Sequence, residues 1–595
     1  MKNLFLTAAL SLAALLGAAS AAPLHVALPA QSTERNGEPQ PLGEHIFQTV
    51  LVPPLPEKGL HPQAAAGLRR LYSGAPIDVL KYHNDNYPTG WNGRETDLTQ
   101  ASVGSSSFGR IATLNVDGLV LAEPLMVSGF KMPDGSVHNV LVVATMHDSV
   151  YAFDAQTYGV LWQVSLGQSQ SSSDVGCSDV EPEYGIAATP VIVRGGPGSA
   201  TIYLVAATEP ASYSFHTQIH ALDLATGADS VQPVEISPSS KLSNGQTIAF
   251  DPQNQWTRTG LVYANGAIYM GIGSHCDNNA SNISGWVLGF NAGTLTPTGA
   301  FNTIQTNQSY KLSSMWMSGF SPAIDGSGNL FGSTGNGAVT FGSGAQNYGE
   351  SVLSLPPSLS ALNGTFTPAD YQDLNNTDGD LGSGGVMLVP AQSGQQAPPM
   401  ALIMGKESTN GVTYMYLLNA TKLGGLQSST NPPLQRLTLN GYGCWCGPTY
   451  FPGPNGGVVY YQIQSDVVRS YSVSTGAQPS LTQVAAGTST AGWGGSFPVG
   501  SSNGTTAGSA MIWLVKRGNM SVQLEAYNAD ALGMPLYQDN AGIWSHDSRG
   551  VVSPLVANGR VYVGAYKTVT VWGLTGSTST RHPAKPKPKH PAKHK

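Results

Sequence analysis

A short apolar strand recurs along this chain at nearly regular spacing, and this repeat limits the possible folds more than any other feature. Its eight copies begin at EPLMV, TPVIV, TGLVY, SPAID, GGVML, GPTYF, SFPVG and SPLVA. The seven intervals from Pro124 to Pro554 cover 430 residues, which averages about 61 residues per unit. Each copy precedes a second strand, a third of alternating character and a weaker fourth. Four short strands in each of eight units predict an all-β fold, an eight-bladed β-propeller, with seven blades as the alternative.

The composition agrees with this interpretation. The chain contains 71 Gly and 40 Pro, and both residues mark turns. Charged residues make up 11% of the chain, less than half of the roughly 25% that is usual for soluble domains. Disordered chains and coiled coils are rich in charge, so both classes are excluded.

The net charge excludes one class of partner. The formal charge is −7, but the last twenty residues hold six of the 28 basic residues and no acid. The rest of the chain therefore carries 22 basic against 35 acidic residues, a balance of −13. An acidic body has no positive surface for nucleic acid, and we expect no nucleic-acid partner.

The repeat also predicts how the ring closes. The eighth unit ends without a fourth strand, whereas an extra strand, FGRIATLNV at residues 108–116, precedes the first unit. We expect this strand to complete the last blade. Pro stands in six of the eight first strands, and it is tolerated where a strand has an unpaired edge, as the innermost strand of a blade does.

The two ends of the chain differ from the repeats. Residues 1–21 have a basic start, an apolar stretch and a small-residue cleavage site, and they predict a signal peptide. Residues 22–80 are Pro- and Ala-rich and read as an N-terminal arm or linker before a propeller at 81–575. Residues 576–595 form a basic Lys/Pro/His tail, which we expect to be disordered and able to contact anionic envelope polymers.

These features predict an exported, monomeric protein in the periplasm or outside the cell. No later apolar run is long enough to cross a bilayer. In an exported chain four cysteines favour disulfides over metal binding. Their positions in the repeat place Cys177 beside Cys276 on neighbouring blades, and Cys444 beside Cys446 nearly opposite. Because bridged Cα atoms lie within about 7 Å, we expect the pairs Cys177–Cys276 and Cys444–Cys446.

One segment resembles a known family. In SVYAFDAQTYGVLWQVSLG, the residues Ala152, Asp154, Thr157 and Trp162 match the tryptophan-docking repeat of quinoprotein dehydrogenases, and IHALDLATG is a shorter second match. The segments YHNDNYPTGWNGRETDLT and DLGSGGVML are similar to those of secreted bacterial quinoprotein-like β-propellers, the pyrroloquinoline quinone-repeat family. The resemblance covers about residues 80 to 575 and implies a fold like that of quinoprotein alcohol dehydrogenases.

The resemblance also implies a candidate site on the propeller axis. Pyrroloquinoline quinone is planar and carries three carboxylates, so it needs aromatic faces, Arg or Lys partners, and a Ca²⁺ held by oxygen ligands. The candidate residues are Trp316, Trp493 and Trp544 for stacking, Arg258, Lys406 and Arg549 for the carboxylates, and Glu183, Asn336 and Asp380 for the metal. The alternative, which we favour, is that these Trp residues plug the channel and the charges form rim salt bridges.

Two departures separate this chain from the enzymes that it resembles. Quinoprotein alcohol dehydrogenases have two adjacent cysteines, for which Cys444-Trp445-Cys446 is the nearest equivalent, and the haem motif C-x-x-C-H is missing. We therefore favour a binding or scaffold module at the cell envelope, with a protein or small-molecule ligand at the channel mouth. The alternative is a pyrroloquinoline quinone- and Ca²⁺-dependent alcohol or sugar dehydrogenase with an axial active site.

Overall fold

The computed structural model describes residues 72–575 except 408–410, 440–441, 519, 545–549 and 551. The expected signal peptide, most of the N-terminal arm, the basic tail and Arg549 lie outside the described residues. The chain forms eight antiparallel sheets arranged as an eight-bladed β-propeller, which confirms the predicted fold class. We number the blades in chain order from the first repeat.

The first four blades follow one another without crossovers. Their strands, in order within each sheet, are Leu125–Lys131, Val137–Ala144, Ser149–Asp154 and Val160–Ser165 in blade 1; Val191–Arg194, Ala200–Thr208, His216–Asp223 and Val234–Glu235 in blade 2; Val262–Ala264, Ala267–Ser274, Trp286–Asn291 and Pro297–Asn302 in blade 3; and Ala323–Ile324, Leu330–Ser333, Val352–Leu355 and Gly364–Thr367 in blade 4.

Blades 5 to 7 repeat this order, and blade 8 takes its fourth strand from the start of the chain. The strands are Met387–Val389, Met400–Glu407, Thr413–Asn419 and Gln435–Leu439 in blade 5; Thr449–Gly453, Gly456–Tyr461, Val467–Ser474 and Ser480–Thr490 in blade 6; Val499–Ser501, Met511–Arg517, Ser521–Asn528 and Tyr537–Ile543 in blade 7; and Leu555–Ala557, Arg560–Gly564, Tyr566–Leu574 and Phe108–Leu119 in blade 8.

The remaining elements are short. The extra strands are Trp91–Asn92 beside blade 7, Gln255–Trp256 beside blade 3, Gly425–Leu426 beside blade 4, and the small pairs Gln170–Ser171 with Glu183–Tyr184 and Ser239–Lys241 with Thr247–Ala249. The helices are Gln100–Val103, Ser172–Val175, Tyr371–Thr377, Met317–Gly319 and Leu381–Ser383. None of these described helices has the length and apolarity that a membrane crossing requires.

Burial orders the strands from the inside of each blade to the outside. In blade 7 every residue of Met511–Arg517 is buried, whereas the outer strand Tyr537–Ile543 has one buried residue, Ala541, and three exposed ones. A strand covered on both faces by neighbouring blades needs continuous apolar side chains, and an outer strand needs them only on alternate positions. The core therefore consists of layers between blades.

The strand Phe108–Leu119 closes the ring. It pairs antiparallel with Tyr566–Leu574, with Phe108 opposite Leu574 and Leu114 opposite Val569. This is the strand that the repeat leaves over at the start of the chain. Blade 8 therefore joins the two ends of the propeller by backbone hydrogen bonds.

The docking segment in blade 1 performs the mechanical role that its sequence predicts. Trp162 donates its indole N–H to the Leu224 carbonyl of blade 2 at 2.9 Å. Its ring covers Gly227, where an added Cβ would lie 2.6 Å from a ring carbon. One carboxylate oxygen of Asp154 accepts the backbone N–H of Gln156 and of Thr157, at 2.6 and 2.8 Å. The motif therefore fixes a turn and fastens two blades.

Residues 77–95, which we call the axial belt, follow the inner edges of the first strands. Val79 pairs with Met126 of blade 1, and Trp91–Asn92 pairs in parallel with the first strand of blade 7. The free edge of a first strand faces the channel, so the belt lies inside the ring. Its first residues, up to Leu80, belong to the segment that the sequence assigns to an N-terminal arm.

Candidate functional site

A cavity of about 450 Å³ opens at the face of the ring where the first strands begin, and we call it the axial pocket. It is built by loops before the first strands of blades 2 to 6 and by loops after the second strands of blades 3 and 5. Its lining residues are Cys177, Ser178, Asp179, Tyr184, Trp256, Arg258, Ser274, His275, Cys276, Asp277, Trp316, Ser318, Asp378, Asp380, Ser383, Lys406 and Trp445. This volume lies within the range of about 300–1,000 Å³ that is usual for small-molecule sites.

One wall of the axial pocket holds two carboxylates against one ammonium group. Lys406 Nζ lies 2.6 Å from Asp380 Oδ2 and 3.0 Å from Asp378 Oδ2. Asp380 is buried at the start of the short helix Leu381–Ser383, whereas Asp378 is exposed. Burial lowers the pKa of Lys406, but the negative charges of Asp380 and Asp378 raise it by more than burial lowers it. The pKa of Lys406 is therefore higher than usual. The ammonium group therefore stays charged.

Beside this pair, oxygen atoms from three loops converge. One amide atom of Asn336 lies 3.1 Å from Asp380 Oδ1 and 3.2 Å from Asp277 Oδ2, and the other lies 3.0 Å from the Tyr310 hydroxyl. With its nitrogen towards the acids, Asn336 donates to both carboxylates. With its oxygen there, three oxygens would meet, and a proton on one carboxyl or a cation among them would offset their repulsion. Oxygens spaced in this way suit Ca²⁺, which binds oxygen at about 2.3–2.6 Å.

The same cluster carries more negative charge than Lys406 balances. Burial and the neighbouring Asp380 raise the pKa of Asp277 to about 7. Burial, with Asp380 again adding to it, raises the pKa of Glu350 well above its usual value. Glu350 Oε2 accepts the Leu381 N–H at 2.7 Å, but its Oε1 is buried without a hydrogen-bond partner. Such crowded carboxylates bind either protons or a metal ion.

Arg258 brings a second cation to the axial pocket. Its guanidinium lies over the Trp256 ring, 5.6 Å from the ring centroid. In the part of the chain that the structure describes, it makes no hydrogen bond and no ion pair closer than 4 Å. Burial lowers its pKa, and the nearby charge of Asp179 acts in the opposite direction. A guanidinium with all its donors available is suited to a carboxylate or phosphate of a ligand.

Aromatic rings form the other walls. Trp316 lies partly exposed on the short helix turn before blade 4, and its indole N–H has no hydrogen-bond partner. Trp445 stacks on Trp493 with ring centroids 4.6 Å apart, and Lys406 Nζ lies 5.2 Å from the Trp445 centroid. Flat rings of this kind can hold a planar ligand.

The axial pocket thus brings together five of the residues that the sequence suggests. Trp316, Arg258, Asp380 and Lys406 line it, and Asn336 contacts Asp380 beside it. The other three described candidates lie outside its lining: Trp493 and Trp544 face Arg517 at 4.4 and 5.5 Å from their centroids, and Glu183 pairs with His147 at 2.8 Å. For Trp493 and Trp544, packing is the role that the geometry gives.

The structure contains two disulfides, Cys177–Cys276 and Cys444–Cys446, with Cα atoms 5.6 and 4.8 Å apart. These are the pairs that the blade positions predict. The first joins blades 2 and 3 at the edge of the axial pocket, and the second holds the loop that carries Trp445. The Asp179 carboxylate lies within 4.8 Å of the Cys177 and Cys276 sulfurs, but bonded sulfurs are not thiolates and do not bind a metal.

Some site residues were not selected from the sequence. Asp277 follows Cys276 in a loop that the repeat places at this face, and Trp445 stands between two cysteines. Both positions could therefore have been selected from the sequence as site residues. Glu350 could not, because it precedes an apolar strand in a Gly-rich stretch without a motif. Tyr184 and Trp256 also line the axial pocket, with ring centroids 4.9 Å apart.

The eight-bladed β-propeller is a fold that this chain shares with proteins of known structure. No family model and no curated protein matches the sequence. Among solved structures, the chain is similar to the quinohemoprotein alcohol dehydrogenase from Comamonas testosteroni, with a TM-score of 0.54 and 14% identity over 87% of this chain and 83% of that chain. The chain is also similar to a europium-containing methanol dehydrogenase, with a TM-score of 0.51 and 12% identity over 84% of this chain and 98% of that chain.

A third similar structure is the quinohemoprotein alcohol dehydrogenase ADHIIG from Pseudomonas putida, with a TM-score of 0.51 and 14% identity over 90% of this chain and 84% of that chain. At such identities, the likeness shows the fold and leaves the chemistry to be argued from the site.

Proposed function

We propose that the axial pocket binds a hard metal cation together with a planar anionic quinone, and that the protein is an exported quinone-dependent dehydrogenase. The observation that carries the proposal is the arrangement of opposite charges in one cavity. Asn336, Asp277 and Asp380 offer converging oxygens, and Arg258 offers an unengaged guanidinium. A ligand with carboxylates at one end and a metal-binding carbonyl at the other would pair with Arg258 and with the cation held by these oxygens.

The residues fit pyrroloquinoline quinone with Ca²⁺. Asp380 Oδ1, Asp277 Oδ2 and an Asn336 amide atom that can be oxygen would hold the cation. Arg258 would pair with a carboxylate, and Trp316 and Trp445 would cover the flat faces. A bound quinone would supply a two-electron acceptor for alcohol oxidation, with the cation polarising its carbonyl. An alcohol at this position would lie near the exposed carboxylate of Asp378, which Lys406 also contacts and which would be the group to accept its hydroxyl proton.

Terbium luminescence tests the cation site without requiring turnover. Trp316 and Trp445 lie close enough to the acids to sensitise a bound Tb³⁺, and Ca²⁺ should compete for the site. Asp380→Asn should weaken Tb³⁺ binding at least about tenfold, because it removes a charged ligand. The matched control is Asp134→Asn, an exposed turn residue of blade 1. Equal Tb³⁺ affinity in Asp380→Asn and the native protein would contradict the site.

Equilibrium dialysis tests the quinone. Pyrroloquinoline quinone should bind in the presence of Ca²⁺, and Arg258→Met should reduce its affinity about tenfold, since a charged hydrogen-bond partner is lost. Arg436→Met, at an exposed arginine over Tyr414, is the control. The loaded protein is then assayed for dye-linked oxidation of primary alcohols and sugars. Quinone binding without oxidation of either class would reduce the proposal to a binding site.

A second candidate function is a binding or scaffold module at the cell envelope. The observation that favours it is the charge arrangement around Lys406, which already neutralises part of the acid cluster. The axial belt also pairs with the inner edges of the blades, so this hydrogen bonding does not depend on a ligand. If native protein binds neither Tb³⁺ nor the quinone, the scaffold role becomes the better proposal. Export is supported by the two formed disulfides, which persist in oxidising compartments.

A further inference from the structure

The axial belt visits the blades in their order around the ring. Ile77 donates its N–H to Asn558 of blade 8, Val79 pairs with blade 1, and Leu80 accepts from blade 2. Tyr82 lies against blade 3: a Cβ atom added at Gly260, just before the first strand of that blade, would lie 3.3 Å from the Tyr82 Cβ. The belt then continues past blades 4, 5, 6 and 7. It makes one complete turn inside the channel.

Six of these contacts are equivalent. In each of blades 1, 2, 4, 5, 6 and 7, the second residue of the first strand donates its N–H to a belt carbonyl at 2.7–3.2 Å. The donor and acceptor pairs are Met126 to Val79, Ile192 to Leu80, Ile324 to Asn86, Leu388 to Tyr87, Tyr450 to Thr89 and Gly500 to Gly90. These N–H groups lie on the free inner edges of the sheets, where a buried donor without a partner would be costly. The belt therefore completes the hydrogen bonding of the inner edge.

Blade 8 is held at both ends of the belt. At its start, the Ile77 N–H donates to Asn558 Oδ1 at 2.8 Å. At its end, Asn92 Nδ2 donates to the Val556 carbonyl, and the Gly559 N–H donates to Glu95 Oε2, both at 2.9 Å. Blade 8 is also the blade that joins the chain ends through Phe108–Leu119. The belt therefore fastens the closing blade of the ring from the inside as well.

The middle of the belt contacts the loop that carries Trp316. Tyr82 and His83 stack on each other at 4.1 Å, and both pack against Phe320, at 5.0 and 5.1 Å. Phe320 ends the turn Met317–Gly319, in which Met317 and Ser318 have φ values of 46° and 45°. Such left-handed residues persist only where surrounding contacts hold them. The belt supplies those contacts from behind the axial pocket.

We propose that the axial belt is a second closure of the propeller and that Tyr82 and His83 position the Trp316 wall of the axial pocket. The belt locks blade 8 to blades 1 and 7 independently of the closing strand. The inference goes beyond the proposed function, because it holds whichever ligand the axial pocket takes.

A cleavable site tests the closure. The residues that link the belt to the closing strand include the exposed run 104–106, where a protease sequence can be inserted and cut in the folded protein. We expect the N-terminal piece to co-elute with the rest on gel filtration. The control is the same insertion at Gly476, an exposed turn of blade 6, which leaves the belt linked. The belt-cut protein should melt at least about 5 °C below the Gly476-cut protein. Elution of the N-terminal piece alone, or equal melting of the two proteins, would overturn the closure.

Substitutions at Tyr82 test the positioning. Tyr82→Ala should open the space behind Phe320, so that acrylamide quenches Trp emission more strongly and Tb³⁺ affinity falls several-fold. Tyr82→Phe should restore both readouts, because the Tyr82 hydroxyl is buried without a partner and the ring carries the contact. Normal quenching in a folded Tyr82→Ala protein would overturn the positioning role. If the native protein binds no Tb³⁺, acrylamide quenching alone tests the positioning role of Tyr82. Failure of the proposed function can therefore be told apart from failure of this inference.

Discussion

The axial belt and the axial pocket lie in the same channel, but the belt satisfies backbone N–H groups of the blades, whereas the pocket leaves charged side-chain groups without partners among the described residues. The belt matches inner-edge N–H groups to its carbonyls in six blades. Within the described ranges, the pocket leaves Arg258 without a hydrogen bond and Glu350 Oε1 without a donor, and it crowds Asp277 against Asp380. Satisfied buried groups give rigidity, whereas unsatisfied ones create affinity for something absent from the protein. The difference separates the part that holds the ring from the part that is available for a ligand.

The largest expected effect comes from breaking the covalent support of the pocket. Cys177→Ser with Cys276→Ser opens a bridge between residues 99 positions apart. A crosslink over a loop of that length contributes about 4.7 kcal/mol in the chain-entropy model. We expect a clear fall in the denaturant midpoint and loss of Tb³⁺ binding.

The matched pair is Cys444→Ser with Cys446→Ser, whose cysteines are only two positions apart. It should cost little stability and act on the Trp445 wall alone. Equal losses of stability in the two double variants would remove this distinction.

The next effect comes from breaking the belt with one methyl group. Gly90 has φ of 66°, and an added Cβ would lie 2.8 Å from Thr449 Oγ1 and 3.3 Å from the Pro498 carbonyl. Gly90→Ala should therefore destabilise the protein by about 3 kcal/mol. Gly326→Ala is the control, because nothing lies within 4 Å of its added Cβ. A Gly90→Ala melting curve that overlays the control would show that the belt tolerates rearrangement.

The next effect is a dependence of stability on pH, which comes from Glu123, a buried acid that contacts the belt. Burial raises the pKa of Glu123 to about 8 and lowers the pKa of His83 to about 3, and the His83 N–H donates to Glu123 Oε2. The Glu123 contribution to stability is present below its unfolded pKa near 4.5 and is lost as pH rises towards 8. The His83 contribution is present above 6.5 and is lost as pH falls towards 3.

Glu123→Gln removes only the first of these terms. Between pH 5 and pH 8, the variant should lose about 3 kcal/mol less stability than the native protein. Melting temperatures across this range check the prediction. Tyr82 is the other titratable group that faces Glu123, and burial raises its pKa well above its usual value. Parallel pH profiles for the two proteins would show that Glu123 is solvated.

The smallest effect sharpens the pocket. Lys406→Met removes the ammonium that competes for Asp380 and Asp378, so Tb³⁺ affinity should rise about tenfold. Lys422→Met, at an exposed turn, is the control. A fall in affinity would mean that Lys406 is needed to hold the two carboxylates in place.

The sequence contains most of the information about the ring and much less about its interior. The repeat predicts the strands because each must alternate or stay apolar to fit between blades, and six prolines directly precede first strands at 124, 190, 322, 448, 498 and 554. Trp316, Asp380 and Lys406 can be selected because charged and aromatic residues are rare here and their loops share one face.

The belt could not be found in the same way. Its contacts use backbone carbonyls, which any residue offers, so YHNDNYPTGWNGRETDLT shows no periodicity that indicates a ring. Glu350 and Asp277 acquire their importance from neighbours in other blades, and no spacing along the chain records those distances. Trp544 and Trp493 show the converse, since an aromatic residue in a loop at the correct face can still pack on Arg517.

The belt also has a consequence for the order in which this protein can mature. The belt residues are synthesised before the blades that they contact, and Asn558, the partner of Ile77, follows it by 481 residues. The contacts of the belt with blade 8 cannot form until that blade has been made, whereas those with the earlier blades can. A chain that stopped before blade 8 would leave both ends of the belt and the closing strand without these partners, so final closure of the ring requires all eight blades.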